Sequence, residues 1–182
     1  MQLYHPQLEA LAEQFYNFAR EIAQQQGKGR GRMLILYGPN GCGKTHAARA
    51  LHRWFNAVRM LVGAFQIVED PDRGGSEAVI ASSIYRNWPL VIDGFKRDEW
   101  LVVESLADEY LTVIDDIGAE HDPSRVGIEK LYTILNRREN KFTIITTNVP
   151  PEGWSQKFEQ RIASRFFRNS THIDLSQVPD FN

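Results

Sequence analysis

The chain is most tightly constrained between Gly38 and Thr45, where GPNGCGKT follows the apolar run Met33, Leu34, Ile35, Leu36 and Tyr37 and precedes a helical pattern. The spacing Gly, four residues, Gly-Lys-Thr is that of a P-loop, and a buried strand before it and a helix after it are the context the motif needs. Gly41 and Gly43 let the backbone turn so that its N–H groups converge on an anion at a helix N-terminus. Gly38, Pro39, Asn40, Gly41, Cys42, Gly43, Lys44, Thr45 and His46 are therefore expected to hold the phosphates of a nucleotide. Lys44 is placed to reach the β- and γ-phosphates as a point charge, and the Thr45 hydroxyl to ligate Mg2+. The alternative for the same string is a structural glycine-rich turn.

Two further apolar runs decide between these readings. Leu111, Thr112, Val113 and Ile114 form a continuous strand that ends in Asp115-Asp116. A strand buried on both faces reads this way in a parallel sheet, and the carboxyl ends of such strands are where α/β folds bind ligands. Beside a P-loop this is the Walker B position. Asp115 is expected to hold Mg2+, usually through water, and Asp116 to polarise the attacking water. The run Phe142 to Thr147, FTIITT, is a third strand that delivers Asn148 at its tip. That amide can point at the γ-phosphate or the lytic water; a turn-forming Asn before Val149-Pro150-Pro151 is the other reading.

The rest of the composition mainly excludes. The 182 residues, 42 % hydrophobic and 24 % charged, suit one globular domain. A net charge of −2 gives no global attraction to nucleic acid or anionic lipid, so any DNA contact must come from a local basic patch. The single cysteine, Cys42, excludes an internal disulfide and a cysteine metal cluster and fits a reducing cytosol. There is neither a membrane-length apolar run nor a signal pattern, so no membrane association is expected and the location expected is cytoplasmic.

Along the remaining chain, Leu3 to Gln26 carries an apolar helical face at Leu8, Leu11, Phe15, Phe18, Ala19 and Ile22, suited to packing on a sheet or to docking a partner. GKGRGR at 27–32 reads as a flexible basic connector whose Lys28, Arg30 and Arg32 are solvated or touch a nucleic-acid backbone or the nucleotide. The helix after the P-loop is predicted to continue to about Val62. Glu69 to Glu77 is expected to be an acidic surface loop, and Val79 to Arg86 a strand. Asn87 caps the next helix, with Pro89 in its first turn. Helices over Leu90 to Phe95 and roughly Asp98 to Ala107 flank the basic pair Lys96-Arg97. Asp122 is predicted to cap another helix with Pro123 at its first position, and Arg137, Arg138 and Lys141 suit that helix's C-terminal end. Phe158 to Arg168 places Arg161 and Arg165 four apart on one helical face, and Thr171 to Leu175 is a last short strand. The expected division is one domain, with a helix in 1–26, the connector 27–32, a P-loop core in 33–175 and a tail in 176–182.

The strings GPNGCGKTHAA, YRNWPLV, LTVIDDIGAE, FTIITTN and RIASRF, in this order, resemble the AAA+ ATPases, and within them the DnaC/IstB group of helicase loaders and transposition ATPases. The resemblance covers about Leu8 to Leu175. Nothing resembles the ABC-transporter signature or the guanine-specificity motif of G proteins, which favours ATP. What the resemblance implies is a three-layer α/β P-loop NTPase with a five-stranded parallel sheet, ATP at a subunit interface and hence self-association. It gives Asn148 the role called sensor 1. It makes Arg165 the first candidate for an arginine finger, because Ser-Arg-Phe looks like the finger-bearing Ser-Arg-Cys string of clamp loaders, with Arg161 second. Lys96 and Arg97 become candidates for contact with single-stranded DNA, against a solvated face. The implied job is a Mg2+-dependent ATPase that loads a replicative helicase or serves DNA replication. The alternatives are an IstB-like transposition ATPase on duplex DNA, partnered by a transposase, and a nucleotide-switched scaffold with negligible hydrolysis. The pattern departs from the family in three places. No full helical lid is expected after Leu175, a single helix is expected before the P-loop, and Asp116 stands where many AAA+ proteins have Glu, which implies slow turnover without a partner.

Overall fold

The computed structural model describes residues 6–24, 31–59, 65–70, 75–95, 101–122 and 124–178. Helix α1 (Pro6–Gln24) leads to strand β1 (Met33–Tyr37) and helix α2 (Lys44–Val58). Strands β2 (Phe65–Asp70), β3 (Gly75–Ile80) and β4 (Ser83–Asn87) precede helices α3 (Trp88–Phe95) and α4 (Leu101–Asp108). Strand β5 (Leu111–Ile117), helix α5 (Val126–Arg137) and strand β6 (Phe142–Thr147) follow. A 3-10 turn at Pro151–Gly153, the short helix α6 (Trp154–Lys157), helix α7 (Glu159–Phe167) and strand β7 (Ser170–Asp174) complete the described chain.

Five strands form one sheet in the order β4-β5-β6-β1-β7, and every pairing in it is parallel. Strand alternation sends successive side chains to opposite faces. Ile35, Ile114 and Ile145 therefore enter one core, joined by Ile117 because a register shift between Ile114 and Ile117 restores the face, with residues of α3, α4, α5 and α7, including Trp88, Leu106, Leu131 and Phe166. Leu34, Leu36, Val113 and Ile144 enter the other with Phe18 and Ile22 of α1 and Ala48 and Phe55 of α2. These two cores make the three layers. The apolar face of α1 is thus packed on the sheet at Phe18 and Ile22, and Phe18 meets the Phe142 ring edge-on at 5.8 Å. Burying Phe18 and Ile22 contributes roughly 1.5–3 kcal/mol each.

Several boundaries differ from the sequence reading. Within the stretch expected as an acidic loop, the described residues 69–70 and 75–77 lie in an antiparallel ribbon in which Glu69 pairs with Ser76 and Asp70 with Gly75. The run from Val79 to Arg86 is two strands broken at Ala81 and Ser82. Helix α2 stops at Val58 rather than near Val62. Helix α4 is described from Leu101, and the expected start near Asp98 lies outside the described residues. Helix α5 begins at Val126 after Arg125, which takes φ 59° at the N-cap position expected for Asp122. Asp122 nevertheless serves that turn, because its Oδ2 accepts the Gly127 N–H at 2.6 Å. The connector's Lys28 and Arg30 lie outside the described residues; Arg32 is paired with Glu21 at 2.6 Å.

Candidate functional site

Parallel strands that share a direction bring their carboxyl ends to one edge, and the loops after β1, β5 and β6 meet there. The P-loop leaves β1 through Gly38 at φ 146° and enters α2 through Gly43 at φ 88°, left-handed values that exclude most L side chains. Beyond its chain neighbours no atom lies within 4 Å of where a Cβ on Gly43 would stand, so conformation rather than crowding requires glycine there. Asn40, Gly41, Gly43, Lys44, Thr45, His46, Asp116 and Asn148 line one cleft of about 510 Å³. Gly38 and Cys42 are buried beneath it, and Pro39 is exposed. Lys44 is buried and its Nζ donates to the carbonyls of Gly38 at 2.9 Å and Pro39 at 2.6 Å.

The two aspartates occupy a β-bulge. Ile114 pairs with Ile145 and Ile117 with Thr147, so Asp115 and Asp116 together face Thr146 alone. Thr146 serves both: its Oγ1 accepts the Asp116 N–H at 2.7 Å and donates to Asp115 Oδ1 at 2.7 Å. Asp115 is 1 % exposed, and the Thr45 hydroxyl donates to its carboxylate at 3.0 and 3.2 Å. A buried carboxylate beside a hydroxyl is a hard-oxygen pair of the kind that holds Mg2+, which takes few protein ligands and completes its shell with phosphate and water. The residues present therefore fit that ion. Among the described residues no cluster of three or more His, Cys, Asp or Glu exists that would hold a metal by itself. Asp116, more open, has its carboxyl pushed above the usual carboxylate range first by burial and then by the charge of Asp115, against the opposing pull of Lys44. A carboxylate of raised basicity beside the P-loop is suited to accept a proton from water.

Three residues of the site were not singled out in the sequence. Arg49 and Arg53 of α2 line the same cleft. Tyr85 of β4 donates its O–H to Asp115 Oδ2 and accepts from Arg49 Nε at 2.9 Å. Burial first, then the hydrogen bond to Asp115, push its phenol up to about 12, so it is a neutral donor at ordinary pH. Arg49 was legible in principle, since it falls one helical turn after Thr45. Tyr85 was not, because nothing local marks a strand tyrosine as facing a carboxylate 30 residues away.

The arginine candidates lie elsewhere. Arg161 and Arg165 both stack on Tyr132 of α5, at 4.8 and 5.9 Å from its centroid. Arg161 is also ion-paired with Glu129 and, at 3.0 Å, with Glu159. Arg165 lines a separate cavity of about 400 Å³ with Gly31, Met33, Asn140, Arg168 and Asn169. Lys96 and Arg97 lie outside the described residues. No helix among the described residues is long and apolar enough to cross a membrane.

No protein-family model matches the chain, and no curated protein matches it in sequence. Among solved structures it is similar to DnaI, with a TM-score of 0.67 and 21 % identity over 93 % of this chain and 83 % of that one. It is similar to a DNA replication initiation factor, with a TM-score of 0.65 and 15 % identity over 94 % of this chain and 47 % of that one. It is also similar to the replication initiator DnaA bound to AMPPCP and single-stranded DNA, with a TM-score of 0.60 and 17 % identity over 87 % of this chain and 44 % of that one. The chain thus spans less than half the length of the last two proteins. Together with a five-stranded parallel sheet that carries a P-loop on its second-last strand, these likenesses give the chain the fold of the AAA+ P-loop ATPases of the DnaI and DnaA type.

Proposed function

We propose that this chain is an ATPase that works on DNA as a self-associating assembly, of the kind that loads a replicative helicase. The observation that carries the reading is the meeting of Lys44, Thr45, Asp116 and Asn148 around one cleft, with Asp115 buried against Thr45. In this reading the P-loop amides and Lys44 hold the triphosphate. The Thr45 hydroxyl and the Asp115 carboxylate would hold magnesium, which would supply charge neutralisation to the phosphate oxygens. Asp116 takes a proton from the water that attacks the γ-phosphorus, the bond to the β-bridging oxygen breaks, and ADP leaves. The Asn148 amide orients that water. The DNA part is supported by the likeness to a DnaA that was solved with single-stranded DNA, and the helicase-loading part by the likeness to DnaI.

The test is ATP hydrolysis with and without single-stranded DNA. Hydrolysis is expected to rise with the DNA and to fall by a factor of about 100 or more in Lys44→Ala, as loss of a main electrostatic contact to the transferred group does. Hydrolysis that is unchanged in Lys44→Ala overturns the reading.

A further inference from the structure

We infer that Tyr85 and Arg49 form a positioning clamp that fixes the Asp115 carboxylate toward its metal, so that metal affinity at this site is set from strand β4, outside the P-loop and the Walker B strand. The inference rests on the nucleotide-site reading above. A carboxylate offers about four lone-pair positions. Thr146 on one neighbouring strand donates to Asp115 Oδ1 at 2.7 Å, and Tyr85 on the other donates to Oδ2. Each oxygen is therefore gripped by a hydroxyl from a different side, and the carboxylate cannot swing without breaking one of the two bonds. What it has left is directed at Thr45, whose hydroxyl reaches both oxygens.

Tyr85 is itself held. Arg49 Nε donates to the phenol oxygen at 2.9 Å, and the guanidinium carbon stands 5.1 Å from the ring centroid. Because the phenol oxygen accepts from a permanent cation, its own proton is left to point at Asp115. Arg49 follows Thr45 by four residues on α2, so one helical face carries both a metal-binding hydroxyl and the group that orients the tyrosine. The geometry makes Tyr85 a positioning residue that acts through Asp115, and gives Arg49, which also lines the cleft, the part of holding Tyr85.

The experiment titrates Mg2+ against binding of AMPPCP, measured by calorimetry on the full chain, with a parallel measurement in EDTA. Outer partners of a metal ligand typically change metal affinity by about 10–100-fold. Tyr85→Phe removes only the hydroxyl and is expected to raise the Mg2+ midpoint about tenfold or more while leaving affinity in EDTA unchanged. An unmoved midpoint, or an equal loss of AMPPCP affinity with and without Mg2+, overturns the clamp. Should Tyr85→Phe fail to fold, Arg49→Gln is read by the ratio of AMPPCP affinities with and without Mg2+, because Arg49 also lines the cleft; the ratio is expected to fall, and an unchanged ratio overturns the clamp. Absence of AMPPCP binding by the wild-type chain would instead overturn the site reading on which the clamp rests.

Discussion

At Asp116 the backbone takes φ 66°, in the left-handed region, at a cost to an L residue of about 1–2 kcal/mol. The bulge explains it. Two residues must pass opposite Thr146, and the second is turned out of the ladder so that its carboxylate faces the cleft while its N–H reaches the Thr146 hydroxyl. Strain and placement are thus one feature, and they can be separated by comparing two variants that both lack the carboxylate. Asp116→Gly relieves the conformation and Asp116→Ala keeps it, so in urea unfolding the glycine variant is expected to be more stable by about 1 kcal/mol. Both are expected to lose hydrolysis. Equal unfolding midpoints would mean that the bulge carries no strain.

Among the elements, the joint between α4, α5 and β6 depends on one side chain. Arg138, 3 % exposed just past the end of α5, donates to the carbonyls of Leu106 at 3.0 Å and Glu109 at 2.9 Å, to that of Phe142, and to Thr143 Oγ1 at 2.8 Å. It places a cation at the C-terminal end of α4, where the last carbonyls have no helical partner. Burial pulls its pKa down to about 9, so it remains charged at neutral pH. Arg138→Met would strand several of these acceptors, each worth about 1–3 kcal/mol. We expect a loss of at least about 3 kcal/mol in urea unfolding, with AMPPCP affinity kept in the protein that remains folded. The sequence reading had Arg138 at the right end of the right helix, yet a helix-end arginine looks the same whether it meets water or four buried groups. The same limit explains the ribbon. Its polar ends, Glu69, Asp70, Ser76 and Glu77, mimic a loop, because an antiparallel pair can face water and needs no continuous apolar run. By contrast β1, β5 and β6 were legible because strands buried on both faces leave no choice of residue type. The P-loop and the two aspartates were legible because each sits at the end of such a strand. The third hydroxyl on Asp115 depended on a register between β4 and β5 that no local pattern encodes.

At the scale of the whole molecule, the position of Arg165 forces a question about assembly. Its cavity is shared with Gly31 and Met33 at the start of β1, and with Asn140 and Asn169 just before β6 and β7. The cleft of Lys44 lies past the other end of β1, which at about 3.3 Å per residue is roughly 17 Å away. An arginine side chain cannot cover that span within its own subunit, so if Arg165 serves a nucleotide site it serves that of a second copy. A head-to-tail contact of this kind would pair one subunit's cleft with the next subunit's Arg165. Asp116→Asn subunits keep an intact finger with a disabled site, and Arg165→Ala subunits the reverse. Each alone is expected to be inactive. Mixed in equal amounts, about a quarter of random head-to-tail contacts combine an intact cleft with an intact arginine, so about a quarter of the wild-type rate should return. A mixture that demonstrably co-assembles and recovers nothing would remove Arg165 from the site. Recovery with Arg161→Ala in place of Arg165→Ala, and none with Arg165→Ala, would move the role one turn earlier on α7, to the residue now paired with Glu129 and Glu159.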